Sequence, residues 1–311
     1  MDFVTSFLSD YVGVYHYLVM AGCVMGAFYL HDVFNSSSRD KNDSQKFISY
    51  GYDAHNGPSV WKNVFQEAKG QRQSPINLIT AFSVMRPFER NPLRFSNEFH
   101  QFPCEMMVHN NGVNAVLYAK WKSPAQPNIT GGPLEDGVYN FLNVRFRWGP
   151  IDNEGSEHMV DSQQFSVEMQ MAFAKDSDSS NSRDLLDIAR AKDLLMLSYF
   201  FMVTPTDNPY LEPLIQALKV LKYPMSCANV CPFPLKLLAP AFLKNYFFYE
   251  GSLTFPPCTE GVKWIVQPEP LLISSRQVSQ FRKLKALNCV PVISNLRPVQ
   301  MLNGREVLYY G

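Results

Sequence analysis

Charge of one sign is what this 311-residue chain lacks first: 28 Lys and Arg stand against 28 Asp and Glu, so the net charge is zero. Without a basic excess there is no electrostatic ground for a nucleic-acid partner. Low-complexity tracts and repeats of solenoid length are missing as well, which excludes an array. Cysteine is sparse, at positions 23, 104, 227, 231, 258 and 289. Dense disulfide stapling is therefore excluded, and the one close pair, Cys227 and Cys231, has no second Cys or His pair at finger spacing. Ordinary thiols or a local disulfide remain for that pair. What the chain does have is 46% hydrophobic residues, 14% aromatics and 22 prolines. Together these indicate an irregular, loop-rich globular domain, long enough for one large core or two ordinary ones.

The segment Tyr11–Leu30 holds no formally charged side chain and has about the ~20 residues that cross a bilayer as a helix. Its aromatics lie towards the ends, where membrane interfaces favour them. The ten residues before it carry acids and no Lys or Arg, which is wrong for a signal peptide, although "AGCVMGA" offers small residues for a cut. A single-pass anchor is expected, with cleavage and secretion as the alternative. Arg39, Lys41 and Lys46 follow the segment and put the large domain in the cytosol by the positive-inside rule. Glycosylation triplets at Asn35, Asn42 and Asn128 would put it outside. The expected organisation is residues 1–34 with the anchor at 11–30, a polar tether at 35–48, and one domain at 49–311.

Beyond Tyr50, short apolar runs are broken by Gly, Pro and Asn, the pattern of many short strands. "NVRFRWGP" alternates with period two, setting Val144, Phe146 and Trp148 on one face and Arg145 and Arg147 on the other. Alone, that octapeptide is an ordinary strand with a wet face. "FSVEMQMAF" alternates likewise, with Val167, Met169, Met171 and Phe173 opposite Glu168, Gln170 and Ala172. Helical periodicity occurs in "RDLLDIARAKDLL" and in "PYLEPLIQALKVL", and these helices are expected to cover a sheet.

Seven further stretches occur in order: "YGYDAHNGPSVW", "AKGQRQSPINL", "VHNNGVNAVLY", "GGPLEDGVY", "RFRWGPIDNEGSEHMVDSQQFSVEMQ", "YFFYEGSLTFPPCTEGVKWIV" and "NLRPVQMLNGRE". From about residue 50 to the carboxyl terminus the chain resembles the α-carbonic anhydrase family. The resemblance implies a mostly β single domain around a large, twisted, mainly antiparallel sheet with peripheral helices, and a site in a conical cleft. In that family three histidines bind Zn²⁺ and leave an open position for a hydroxide that attacks carbon dioxide. The matching positions here are Arg145, Arg147 and Gln170. Guanidinium offers no lone pair and stays charged, and an amide oxygen suits calcium or magnesium better than zinc.

The resemblance therefore points to a carbonic anhydrase-related protein without catalysis. Zinc is expected to be absent, and function is expected to come from a protein partner. An active zinc enzyme with an unrecognised metal site and a small-anion binder using Arg145 and Arg147 are the alternatives. Val113 stands where fast relatives have a proton-shuttle His. Tyr52, Glu157, Thr254 and Trp264 match positions around the family's site, and Phe255 should narrow its substrate end. In active relatives the Glu at position 157 accepts a hydrogen bond from the Thr at 254, which orients the hydroxide. Arg145 and Arg147 are expected to replace the ion's charge and satisfy Glu157 and Glu168. His158 is expected to be structural, with both ring nitrogens bonded, while His55, His100 and His109 support no assignment. Cys258 matches half of a disulfide in extracellular relatives, but its partner position before "QSPIN" holds no cysteine.

Overall fold

The computed structural model describes residues 50–311 except 89, 123–125 and 177–183. The expected anchor and tether lie outside the described residues, and among the described residues no helix is long and apolar enough to cross a membrane. Asn35 and Asn42 lie outside them too.

The described strands are β1 (Asn77–Leu78), β2 (Val84–Arg86), β3 (Arg94–Phe95), β4 (Glu105–Asn110), β5 (Ala115–Lys120), β6 (Asn128–Thr130) and β7 (Tyr139–Trp148). They continue with β8 (Met159–Val160), β9 (Val167–Lys175), β10 (Leu194–Thr204), β11 (Ser226–Asn229), β12 (Tyr246–Ser252), β13 (Glu260–Ser274) and β14 (Leu308–Tyr310). The main sheet runs β11-β4-β5-β7-β9-β10-β13-β12-β14-β2, with β3 and β6 attached beside β7. Most neighbours are antiparallel; β10–β13 and β14–β2 are parallel. The helices α1 (Pro58–Val64), α2 (Leu185–Arg190), α3 (Glu212–Val220) and α4 (Ser275–Phe281) are peripheral. The architecture is the mostly β one expected from the strand patterns.

The long central strands are buried on both faces, so the sheet divides two apolar layers. Val144, Phe146, Trp148, Met169, Met171 and Phe173 face one layer, together with Leu197 and Ile265. Ala172, Met196, Phe200, Trp264 and Val266 face the other. The period-two assignments for β7 and β9 therefore hold, but the polar face of these strands is not wet. Glu168 and Gln170 are fully buried and Arg147 is 1% exposed.

Of the two helical stretches, the second forms α3, with Pro213 in its first turn and Leu214, Ile215, Ala217 and Leu218 turned to the core. Pro at that position loses no helical hydrogen bond. The first stretch divides. Its helix α2 ends at Arg190 and the chain enters β10 at Leu194, so the last two leucines of the stretch are strand rather than helix. Asp184 caps α2 by accepting a hydrogen bond from the Asp187 amide.

Candidate functional site

Register sets the site. Arg145 lies opposite Gln170 across the β7–β9 pair, and Arg147 opposite Glu168. Gln170 is in turn opposite Ser198 of β10. Directly paired residues share a face of the sheet, so Arg145, Arg147, Glu168, Gln170 and Ser198 all point to the same side. The three positions that resemble metal-ligand positions thus converge.

Arg147 is the centre of the cluster. Its Nε lies 3.0 Å from Glu157 Oε2 and donates to Gln170 Oε1 at 3.2 Å. One terminal nitrogen donates to the Tyr52 hydroxyl at 2.9 Å and to the Asn295 carbonyl at 3.4 Å. The other donates to Thr254 Oγ1 at 3.0 Å. Burial opposes the charge, yet Glu157 and its neighbours hold the guanidinium above its ordinary range. Burial pushes the Glu157 carboxyl up, while Arg147 and hydrogen bonds from Thr254 and the Arg297 amide pull it down.

Glu168 has other partners. Its Oε2 accepts from the Glu157 and His158 amides at 2.8 and 2.9 Å. Its Oε1 contacts His158 Nδ1 at 2.8 Å and accepts from Gln170 Nε2 and Ser198 Oγ, each at 2.9 Å. Burial alone would raise this carboxyl, but His158 and these donors hold it at about 2. The His158 ring is closed on its far side by the Tyr249 hydroxyl, 2.7 Å from Nε2, so both nitrogens are engaged as a structural role requires. Tyr249 then donates to Ser74 Oγ at 2.8 Å. Two glycines make room for this network. A Cβ on Gly155 would meet the Ser166 carbonyl at 1.8 Å, and one on Gly251 would meet Ser74 Oγ at 2.1 Å.

Arg145 differs from its neighbour. It is half-buried, donates from Nε to Asn143 Oδ1 at 3.3 Å, and lies over the Phe255 ring at 4.7 Å from the centroid. The expectation that both arginines would serve both carboxylates is corrected: Arg147 pairs with Glu157, Glu168 bonds to His158, Gln170 and Ser198, and Arg145 pairs with neither. The cause is register, because Glu168 stands opposite Arg147 and turns its carboxylate to the "GSEH" turn. Phe255, 8% exposed, lies beneath both guanidiniums, that of Arg147 being 5.6 Å from the ring centroid.

The remaining expected residues surround this core. Val113 is half-buried and offers its backbone carbonyl to Asn295 Nδ2. Trp264 is buried with its ring 4.7 Å from that of His158. It lies on the same face of the sheet as the arginines, two residues from Val266, which pairs with Ser198. Cys258 is buried against Trp61 and Ala68 as a free thiol, which burial raises to about 11. Cys231 is an exposed free thiol and so is not bonded to Cys227. Sequence reasoning missed Asn295, whose side chain ties Trp148, Phe146 and Val113 together. It also missed Ser198, Tyr249 and Ser74. All but Ser198 lie inside motifs quoted above, and Ser198 is signalled only as a small polar residue in the apolar run of β10.

A zinc ion does not fit this donor set. Arg147 has no lone pair, and its charge would repel a dication. Gln170 Oε1 already accepts from Arg147, and its Nε2 donates to Glu157 at 2.9 Å as well as to Glu168. Among the described residues no group of three His, Cys, Asp or Glu could hold a metal.

A sequence model of the eukaryotic-type carbonic anhydrases matches residues 56–311. Human carbonic anhydrase 7 is 35% identical over 262 residues, covering 83% of this chain and 96% of its own. Mouse carbonic anhydrase 7 is 34% identical over the same shares, and mouse carbonic anhydrase 1 is 32% identical, covering 83% of this chain and 97% of its own. Motif order, mixed sheet, convergent strand register and these likenesses agree, and the chain belongs to the α-carbonic anhydrase family.

Proposed function

We propose that this chain is a carbonic anhydrase-related protein that does not hydrate carbon dioxide, is held at a membrane by its amino-terminal segment, and acts by binding a protein partner. One observation carries the non-catalytic part: the Arg147 guanidinium has Glu157, Gln170, Tyr52, Asn295 and Thr254 around its three nitrogens. The Thr254 hydroxyl, which in active relatives would orient a zinc-bound hydroxide, here accepts from that guanidinium. A fixed cation so supplies the positive charge that a buried Glu157 needs, and it generates no nucleophile.

Zinc content per purified chain, measured together with carbon dioxide hydration, tests this. The expected outcome is substoichiometric zinc and a rate equal to the uncatalysed one. Stoichiometric zinc with inhibitor-sensitive turnover would establish the enzyme instead. Protease protection of intact vesicles, with glycosidase treatment, reads the membrane part; a chain released by carbonate wash would remove the anchor.

A further inference from the structure

Of the two arginines in the site, only Arg147 has a counter-ion. Arg145 is half-buried and, among the described residues, no carboxylate lies within ion-pair distance of it. Its near surroundings are the Asn143 amide, the Phe255 ring, the Arg147 cation and the phenols of Tyr50, Tyr52 and Tyr118. All three phenols are raised in pKa by burial, so they remain neutral at physiological pH and do not balance the charge. Burial in turn pulls the Arg145 guanidinium below its ordinary value. A partly desolvated cation without a counter-charge is unfavourable, and the missing charge is one negative unit.

The unused chemistry of Arg145 is specific. Asn143 takes the Nε–H, and the Phe255 ring takes a face of the group. The two terminal nitrogens keep their four N–H donors, for which no acceptor is found among the described residues. Two parallel N–H bonds on that edge match the two oxygens of a carboxylate. From this geometry we propose that Arg145, with Phe255 as an apolar wall, binds a small monovalent anion presenting a planar O–C–O group, either a monocarboxylate or bicarbonate. Arg147 takes no part, because its donors are already committed. The site needs no metal, and it stands whether or not the domain also captures a protein.

The test is a thermal-shift titration of the full chain with and without a metal chelator, with acetate, benzoate and bicarbonate as separate arms, and chloride and sulfate at matched ionic strength. The expected result is a saturable rise in melting temperature with the O–C–O anions, unaffected by chelator. A response to acetate and benzoate but not bicarbonate assigns the monocarboxylate; the reverse assigns bicarbonate. Arg145→Gln should weaken binding by roughly tenfold or more, and Arg145→Lys should fall between, since the fork is lost but the charge is kept. Arg86→Gln, which removes an exposed charge, should change nothing. Saturation transfer from the acetate methyl group to the unmodified chain gives a second readout that does not depend on a variant folding. No rise and no transfer with any O–C–O anion, an equal rise with sulfate, or an undiminished response in Arg145→Gln would each overturn the proposal. A response abolished by chelator would locate the anion on a metal and would instead count against the metal-free site.

Discussion

Arg145 and Arg147 stand two residues apart on one face of β7, and the sequence gives them equal weight, yet the fold assigns them opposite tasks. Arg147 is sealed at 1% exposure against a carboxylate that is itself fully covered. Truncating it to Ala leaves the buried Glu157 carboxyl without its counter-charge, and losing one member of a buried pair costs about 3 to 5 kcal/mol. Arg147→Ala should therefore lower the free energy of unfolding by that amount in a denaturant titration, and added zinc should not recover it. Arg147→Lys should recover little, because a single ammonium cannot reach Glu157, Gln170, Tyr52 and Thr254 at once. A variant melting like the parent would remove the claim that this cation holds the site together. Which of the two arginines would be sealed was not legible from residue type. It depends on the β9 register and on the Phe255 loop, both of which are tertiary facts.

At the scale of the strand, alternation in β7 and β9 gave the correct faces, because period-two geometry is local. It could not say that the polar face is dry. Glu168 and Gln170 are covered because the "GSEH" turn and β10 close over them, bringing the His158 ring and the Ser198 hydroxyl within hydrogen-bond distance. The stretch "RDLLDIARAKDLL" failed for a related reason: its apolar residues fit a helical stripe, but Leu194 and Leu195 are taken by the sheet, and pairing with β9 and β13 overrides local preference. The covered face has a pH consequence. Glu168 is held at about 2, against an ordinary 4.5, so its ionised form stabilises the fold above pH 4.5, and that contribution is lost as pH falls towards 2. The loss amounts to about 3 kcal/mol. Glu157, raised by burial, acts in the opposite sense. The informative quantity is therefore the stability difference between the parent and Glu168→Gln. It should be large at neutral pH and shrink between pH 4.5 and 2; a difference independent of pH would mean that Glu168 contributes no charge.

For the molecule as a whole, the fold was the most legible feature, since motif order along some 260 residues fixes strand order and sheet. The chemistry was legible only as a substitution, because a family scaffold is compatible with more than one centre. The scaffold still presents positions 145, 147 and 170 together on one face, so metal dependence should be recoverable by exchanging side chains without moving the backbone. In Arg145→His/Arg147→His/Gln170→His the internal cation is gone, and three neutral imidazoles face a buried Glu157 and Glu168. That variant should be less stable than the parent when metal is chelated. It should bind one zinc per chain and regain stability as zinc is added, because a ligand taken up only by the folded state raises stability with its concentration. The parent should show no difference between chelator and zinc. Val113 in place of a proton shuttle and Phe255 across the site would keep any turnover of the triple variant slow, so zinc-dependent melting is the decisive readout rather than rate. If the triple variant ignored zinc, strand register would not have preserved the ligand geometry. If the parent melted higher with zinc, the cation at Arg147 would not be the charge on which this domain relies.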